Sequence, residues 1–246
     1  LTRSGPTLAA TPHQDAPMTP TRLASTFALA TLLAGCLETG TPDNFFVADY
    51  QFGIPPTPEG WSAGFADFPA SQEADIGFVG EVRALPEELG STLLGLYLRG
   101  DNISDDLFMY WFRRIDGLAP NAAYRIGFDV EYISNVNRDC DAGVGPLTWI
   151  KAGIVNIAPA RILDQDGWYR MNIDKGQQSQ GGATVLNMGD IRNNRIGCVA
   201  GDPYAVWARH SGPNAVTVTT DANGALWIVL GTESGFEVAH DIYFTR

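Results

Sequence analysis

The chain has few of the residues that most enzymes use for proton transfer, and little positive charge. It has three histidines and three cysteines in 246 residues, and 16 Lys and Arg against 28 Asp and Glu, for a formal net charge of −12. That balance argues against nucleic acid as a partner, because phosphate recognition needs Lys and Arg. There is no Gly-x-Ser-x-Gly elbow, no phosphate-binding loop and no dinucleotide glycine pattern. The longest apolar run, Leu23 to Ala34, is about a dozen residues, against the roughly 20 needed to cross a bilayer as a helix.

What is present begins with that short run. It follows Arg22 and ends in Leu33-Ala-Gly-Cys36. The length suits the apolar core of a secretory signal, and small residues lead into the cysteine. The tract resembles a bacterial lipoprotein signal peptide with its lipobox. The resemblance implies cleavage before Cys36 and lipid attached to that thiol, so that the membrane is a partner through a lipid anchor. Met18 suits a start better than Leu1, so residues 1–17 read as an over-extended reading frame and 18–35 as the signal peptide. Leu37 follows the cysteine in place of the aspartate that signals inner-membrane retention, which by the same resemblance implies the outer membrane of a Gram-negative envelope, with the domain periplasmic or surface-exposed. Residues 36–42 form a lipidated tether of at most about 25 Å. Cleavage removes Arg3, Arg22, Asp15 and His13, which leaves a still more acidic chain with two histidines, His210 and His240.

With Cys36 lipidated, Cys140 and Cys198 remain as a pair in an oxidising compartment, and a disulfide is expected. Neither has a His or Cys at close ligand spacing, so zinc is not expected.

From residue 43 to 246 the chain reads as a single domain of short strands separated by turns. Candidate strands are Phe45–Phe52, Ile76–Ala84, Leu93–Arg99, Leu107–Phe112, Tyr124–Ile133, Leu147–Ile157, Trp168–Ile173, Thr184–Met188, Tyr204–Arg209, Ala215–Thr220, Ala225–Leu230 and Glu237–Thr245. Leu107 to Phe112 is apolar throughout, which predicts cover on both faces. In Tyr124–Ile133, Ile126, Phe128, Val130 and Tyr132 share one face, opposite Asp129 and Glu131. Asp221-Ala-Asn-Gly224 between two strand patterns predicts a hairpin. Only Pro86–Leu89 looks helical, for one turn. Many short strands at near-regular spacing point to an all-β fold, a single antiparallel β-sandwich of jelly-roll type.

Leu98–Trp111, Tyr169–Gly182, Thr220–Ile228 and Gly231–Phe236 resemble a family of secreted or lipid-anchored bacterial proteins without an assigned activity. The likeness runs over most of Trp61 to Phe244. The C-terminal strands also resemble jelly-roll, galactose-binding-like modules, and this second likeness implies sugar binding and a structural calcium.

Two segments could carry such roles. Asp101, Asn102, Asp105 and Asp106 sit on one loop and offer the hard oxygen ligands that calcium prefers. The same residue types also cap turns through their own backbone amides. On Trp168–Lys175, alternation places Arg170, Asn172 and Asp174 on one face, next to Lys175. With Trp168 or Trp149 as an aromatic platform, and Asp129 and Glu131 on a neighbouring strand, this face suits a polar ligand such as a sugar. It equally suits a solvated outer sheet face. Asp164-Gln-Asp-Gly167 lacks the EF-hand glutamate, since Lys175 stands eleven residues on.

The expected function is a non-catalytic cell-envelope lipoprotein whose sandwich binds a carbohydrate-like ligand. The alternatives are a structural or assembly lipoprotein that contacts an envelope protein, and a carbohydrate-active hydrolase or lyase using Asp129, Glu131 or Asp174.

Overall fold

Alternation with a period of two builds most of this molecule, because successive strand side chains point to opposite faces. The computed structural model describes residues 47–52 and 60–246. The reading-frame, signal-peptide, Cys36 and tether assignments lie outside them. Fifteen strands follow in chain order: β1 (Trp61–Ala66), β2 (Phe68–Pro69), β3 (Val79–Ala84), β4 (Leu94–Asp101), β5 (Leu107–Ile115), β6 (Ala123–Ile126), β7 (Asp129–Ser134), β8 (Thr148–Val155), β9 (Arg161–Leu163), β10 (Trp168–Met171), β11 (Val185–Asp190), β12 (Ala205–His210), β13 (Val216–Thr219), β14 (Leu226–Ser234) and β15 (Ala239–Phe244). No described helix is long and apolar enough to cross a membrane.

Ten of these strands form two five-stranded antiparallel sheets, while β2, β10 and β9 form a three-stranded sheet and β6 and β13 a two-stranded ribbon. Sheet 1 has the order β1-β5-β14-β8-β11, and sheet 2 the order β12-β7-β15-β4-β3. The chain passes between them at β4–β5, β7–β8, β11–β12 and β14–β15, the wound connectivity of an all-β sandwich. Their inner faces share one core. Sheet 1 contributes Leu107, Met109, Trp111, Ile150, Ala152 and Leu230, and sheet 2 contributes Leu96, Leu98, Val130, Tyr132, Ile242 and Phe244. A fully buried side chain of this kind contributes about 1.5–3 kcal/mol.

Sheet 1 is covered on its other face as well. Phe108, Tyr110, Val155, Val185 and Val229 pack there with Ala66, Met171 and Ile173. The continuous apolar pattern of Leu107–Phe112 is therefore that of a strand buried on both sides. Gly231 at the middle of β14 is required by close approach, since a Cβ there would lie 2.1 Å from the Met109 carbonyl oxygen. On the outer face of sheet 2, the hydroxyls of Tyr97 and Tyr204 donate to Asp241 Oδ2 at 3.0 and 2.7 Å. On its inner face His240 is buried, and burial pushes its pKa down to about 4. Its Nε2 lies 3.3 Å from Thr232 Oγ1.

Four expectations need correction. Pro86–Leu89 is not alone in being helical, since Ala70–Ile76 forms a 3-10 helix and the strand expected from Ile76 begins at Val79. Residues 47–52 are not a strand, and the first sheet position goes to β1, which the sequence pattern did not mark. Tyr124–Ile133 is two strands in different sheets. The break falls at Gly127-Phe128, where Ser211 Oγ accepts from Phe128 N at 2.9 Å and Ser211 N donates to Phe128 O at 2.8 Å. The Asp221–Gly224 turn forms, with Gly224 at φ +70° and Asp221 Oδ1 accepting from Asn223 N and Ala225 N. Its flanking strands do not pair. β14 is already bonded to β5 on one edge and β8 on the other, so it has no free edge for β13, which pairs with β6.

Cys140 and Cys198 are joined, with Cα atoms 5.0 Å apart. The bond ties the loop after β7 to the loop before β12, alongside Arg138 N donating to Arg195 O at 3.0 Å and Asn193 N donating to Val136 O at 2.7 Å. Reduction should destabilise the domain by up to about 4 kcal/mol on the unfolded-chain argument for a loop of this length. Denaturant melts with and without reductant measure the loss, and coincident curves would show the bond to be energetically idle.

Candidate functional site

At one end of the sandwich sheet 2 stops short, and the two-stranded β6–β13 ribbon folds over the inner face of sheet 1. Val216 and Val218 of β13 pack with Ile115, Ile154 and Leu226. Between the ribbon, the inner face of sheet 1 and the start of β7 lies a cavity of about 600 Å³. Its floor is apolar and comes from alternate residues of neighbouring strands: Ile115, Ile154, Leu226, Ile228 and Leu230. Tyr124, Ile126 and Phe128 form a wall. Tyr50 and Trp61 stand at another side, ring centroids 5.5 Å apart and edge to face. Trp61 Nε1 is buried and has no hydrogen-bond partner among the described residues.

The polar groups gather at the rim: Asp49, Arg125, Asp129, Glu131, His210 and Arg246. The β12–β7 register sets His210 opposite Asp129, and His210 Nδ1 lies 2.8 Å from Asp129 Oδ1. Glu131 Oε1 accepts from Thr245 Oγ1 at 2.6 Å, and Arg246 forks onto Asp49 at 2.9 and 3.1 Å. Arg125 Nη2 donates to Pro213 O at 3.2 Å. Asp129 and Glu131 come from β7 and the other groups from separate segments, and the Asp129–His210, Asp49–Arg246 and Glu131–Thr245 pairs are exposed or only partly buried. They are therefore available to exchange partners for a ligand at modest cost.

The structure separates the sequence candidates into two groups. Asp129 and Glu131 share the cavity rim. Trp149, Trp168, Arg170, Asn172, Asp174 and Lys175 belong to sheet 1 and the segments beside it. Arg170 pairs with Asp164 at 2.8 Å, and its guanidinium lies 4.9 Å from the Trp168 ring. Asn172 bridges Ala158 O and Ala160 N, both at 2.9 Å. Asp174 accepts from Gly176 N at 3.1 Å and Ala183 N at 2.9 Å. Trp149 stands opposite Glu233 in the β14–β8 ladder. The calcium candidates are likewise engaged. Asp101 lies 3.7 Å from Arg99, and the buried Asn102 donates to Ser234 O and Phe236 O while accepting from Ser104 N and Leu107 N. Asp105 O accepts from Gln178, and Asp106 accepts from Gln177 at 2.7 Å. Burial raises the Asp106 pKa to about 6, against the opposing pull of Gln177 and Lys175. No group of three or more His, Cys, Asp or Glu among the described residues is placed to hold a metal ion.

Lys175 leads into a buried ion cluster on the outer face of sheet 1. Lys151 and Glu233 are wholly buried and pair at 2.9 Å. Lys175 contacts Glu233 Oε1 and lies 3.0 Å from Asp67 Oδ2. Lys151 Nζ also donates to Gln180 O at 2.6 Å and Lys175 O at 3.3 Å, which staples the 175–180 loop to the sheet. Burial pulls the Lys151 pKa down and pushes that of Asp67 up. For Lys175 burial also pulls down, but Asp67 and Glu233 together outweigh it. Glu233 is thus the centre of a two-by-two charge balance.

The rim residues His210, Arg125, Arg246 and Asp49, and the aromatic pair Tyr50 and Trp61, carried no local motif. Long-range pairing alone brings them together. The one available signal was the scarcity of histidine.

No family model and no curated protein matches the chain. Among solved structures it is similar to the enzymatically active domain of tailspike protein 4 from bacteriophage CBA120, at 13% identity and a TM-score of 0.32, covering 76% of this chain and 18% of that one. It is also similar to the carbohydrate-binding module TmCBM27, described for specific mannan recognition, at 15% identity and a TM-score of 0.33, covering 80% of this chain and 91% of that one. At these scores neither likeness bears on function.

Glu233→Ala should be severely destabilising, by about 3–5 kcal/mol, because it leaves Lys151 buried without its counter-charge. Paired replacement of Lys151 and Glu233 by Met and Leu should cost far less. Denaturant melts of the two variants distinguish a charge-pairing role from simple packing.

Proposed function

We propose that this chain is an exported, lipid-anchored β-sandwich that binds a carbohydrate-type ligand in the end cavity without transforming it. The cavity carries the reading. Its volume of about 600 Å³ falls in the range of about 300–1,000 Å³ usual for small-molecule sites. Its rim combines aromatic rings with carboxylate, guanidinium and imidazole groups, the planar hydrogen-bonding partners that sugar hydroxyls require. The disulfide fits an oxidising compartment outside the cytosol. Of the three carboxylates of the hydrolase alternative, Asp174 caps a loop on the other side of sheet 1, away from Asp129 and Glu131 at the rim.

Affinity electrophoresis against a panel of polysaccharides should show retardation, and Asp129→Asn or Glu131→Gln should weaken it roughly tenfold, the scale of one lost hydrogen bond to a charged group. Unretarded migration throughout the panel would dispose of carbohydrate binding. For the anchor, labelled palmitate should enter the protein and be lost in Cys36→Ala. Equal labelling of both would dismiss Cys36 as the site.

A further inference from the structure

The cavity is segregated by depth, and that narrows what can fill it. Its charged groups stand at the rim, where Asp129, His210 and Arg246 are exposed. Its floor, including Ile115, Ile154, Leu226 and Leu230, is buried and apolar. Ile126, Phe128 and Ile228 are only half-buried, so apolar surface remains open to the space between rim and floor. The volume of about 600 Å³ corresponds to roughly twenty waters at about 30 Å³ each. A bare sugar ring pushed to the floor would leave its hydroxyls without partners, at a cost of about 1–3 kcal/mol each. A sugar held at the rim would leave the open apolar surface of Ile126, Phe128 and Ile228 to poorly bound water, whose displacement by hydrocarbon is favourable.

From this we infer that the ligand is amphipathic, a glycoside whose sugar is held at the rim and whose apolar aglycone, of the alkyl or acyl kind, lies along Ile126, Phe128 and Ile228. The inference rests on the carbohydrate reading and goes further by naming the second half of the ligand. A glycolipid and a soluble alkyl or aryl glycoside share this chemistry.

The test is calorimetric titration of the full chain carrying Cys36→Ser, which has no acyl group of its own. The probes are methyl, hexyl and octyl β-glucoside, β-galactoside and α-mannoside below their micelle concentrations, with octyl sulfate as a chain without a sugar. For at least one sugar, each added methylene should raise affinity about three- to fourfold until the floor is covered, giving a gain of at least a hundredfold from methyl to octyl. Ile126→Trp, which narrows the cavity from the ribbon side, should erase most of that gain. Circular dichroism checks its fold. Equal affinity across one sugar's series would overturn the aglycone site and leave carbohydrate binding standing. A chain-length gain that octyl sulfate reproduces in full would overturn the glycoside, and with it the carbohydrate reading. No binding by any probe would overturn both. Enhanced binding of mixed micelles or vesicles containing an alkyl glycoside, over vesicles of phospholipid alone, would assign the source to a membrane glycolipid, whereas binding confined to monomeric probes would assign it to a soluble glycoside.

Discussion

Sheet 1 is buried on both faces, and the other features follow from that constraint. Its inner face meets sheet 2 over most of its area and the β6–β13 ribbon over the rest. Its outer face is covered by Met171 of β10 and by the 173–180 segment, through Ile173 and the carbonyls that Lys151 holds. A strand in this position has no solvated side on which to place polar residues. The two fully buried charges on this sheet, Lys151 and Glu233, are neutralised by each other and by Lys175 and Asp67. Removing water from a charge costs several kcal/mol unless partners replace it. The cluster therefore dictates where the covering loop must lie, because Lys151 draws the Gln180 and Lys175 carbonyls onto the sheet.

The cavity arises from the same sheet at its other end. Sheet 2 is not long enough there to close over Ile154 and Ile228, and the ribbon that replaces it is only two strands wide. The bend at Gly127-Phe128 decides this. It takes the chain from the ribbon into sheet 2, and the exchange of hydrogen bonds between Phe128 and Ser211 locks it. Asp129 and Glu131 follow directly after the bend, so their position at the rim is a consequence of the chain crossing between layers. His210 reaches the rim because β12 pairs with β7.

Much of the fold was legible in the residue pattern. The alternation of Val130 and Tyr132 with Asp129 and Glu131 in β7, and the all-apolar run of β5, reported burial on one face or on two. The turn at Asp221–Gly224 was legible because its geometry depends on local side-chain capping and one left-handed glycine. The pairing of its flanking strands was not, since the identity of a strand's neighbour depends on which edges are already taken. The ligand face assigned to Arg170, Asn172, Asp174 and Lys175 shows the same boundary. Their polarity was legible. Whether they meet solvent, a ligand or the chain itself depended on the loop that folds back over them.

The sequence by itself determined that this is a β-sandwich, that Cys140 and Cys198 pair, and which strand is covered on both faces. Each of these follows from local periodicity, or from the count of a scarce residue. Tertiary structure alone decided that Asp129, Glu131, His210 and Arg246 share one rim above an apolar floor, and that Lys175 faces Glu233 from 58 residues away. Those groupings depend on strand register and layer crossing, and register is set by the joint burial of both sheets rather than by any segment's own preferences.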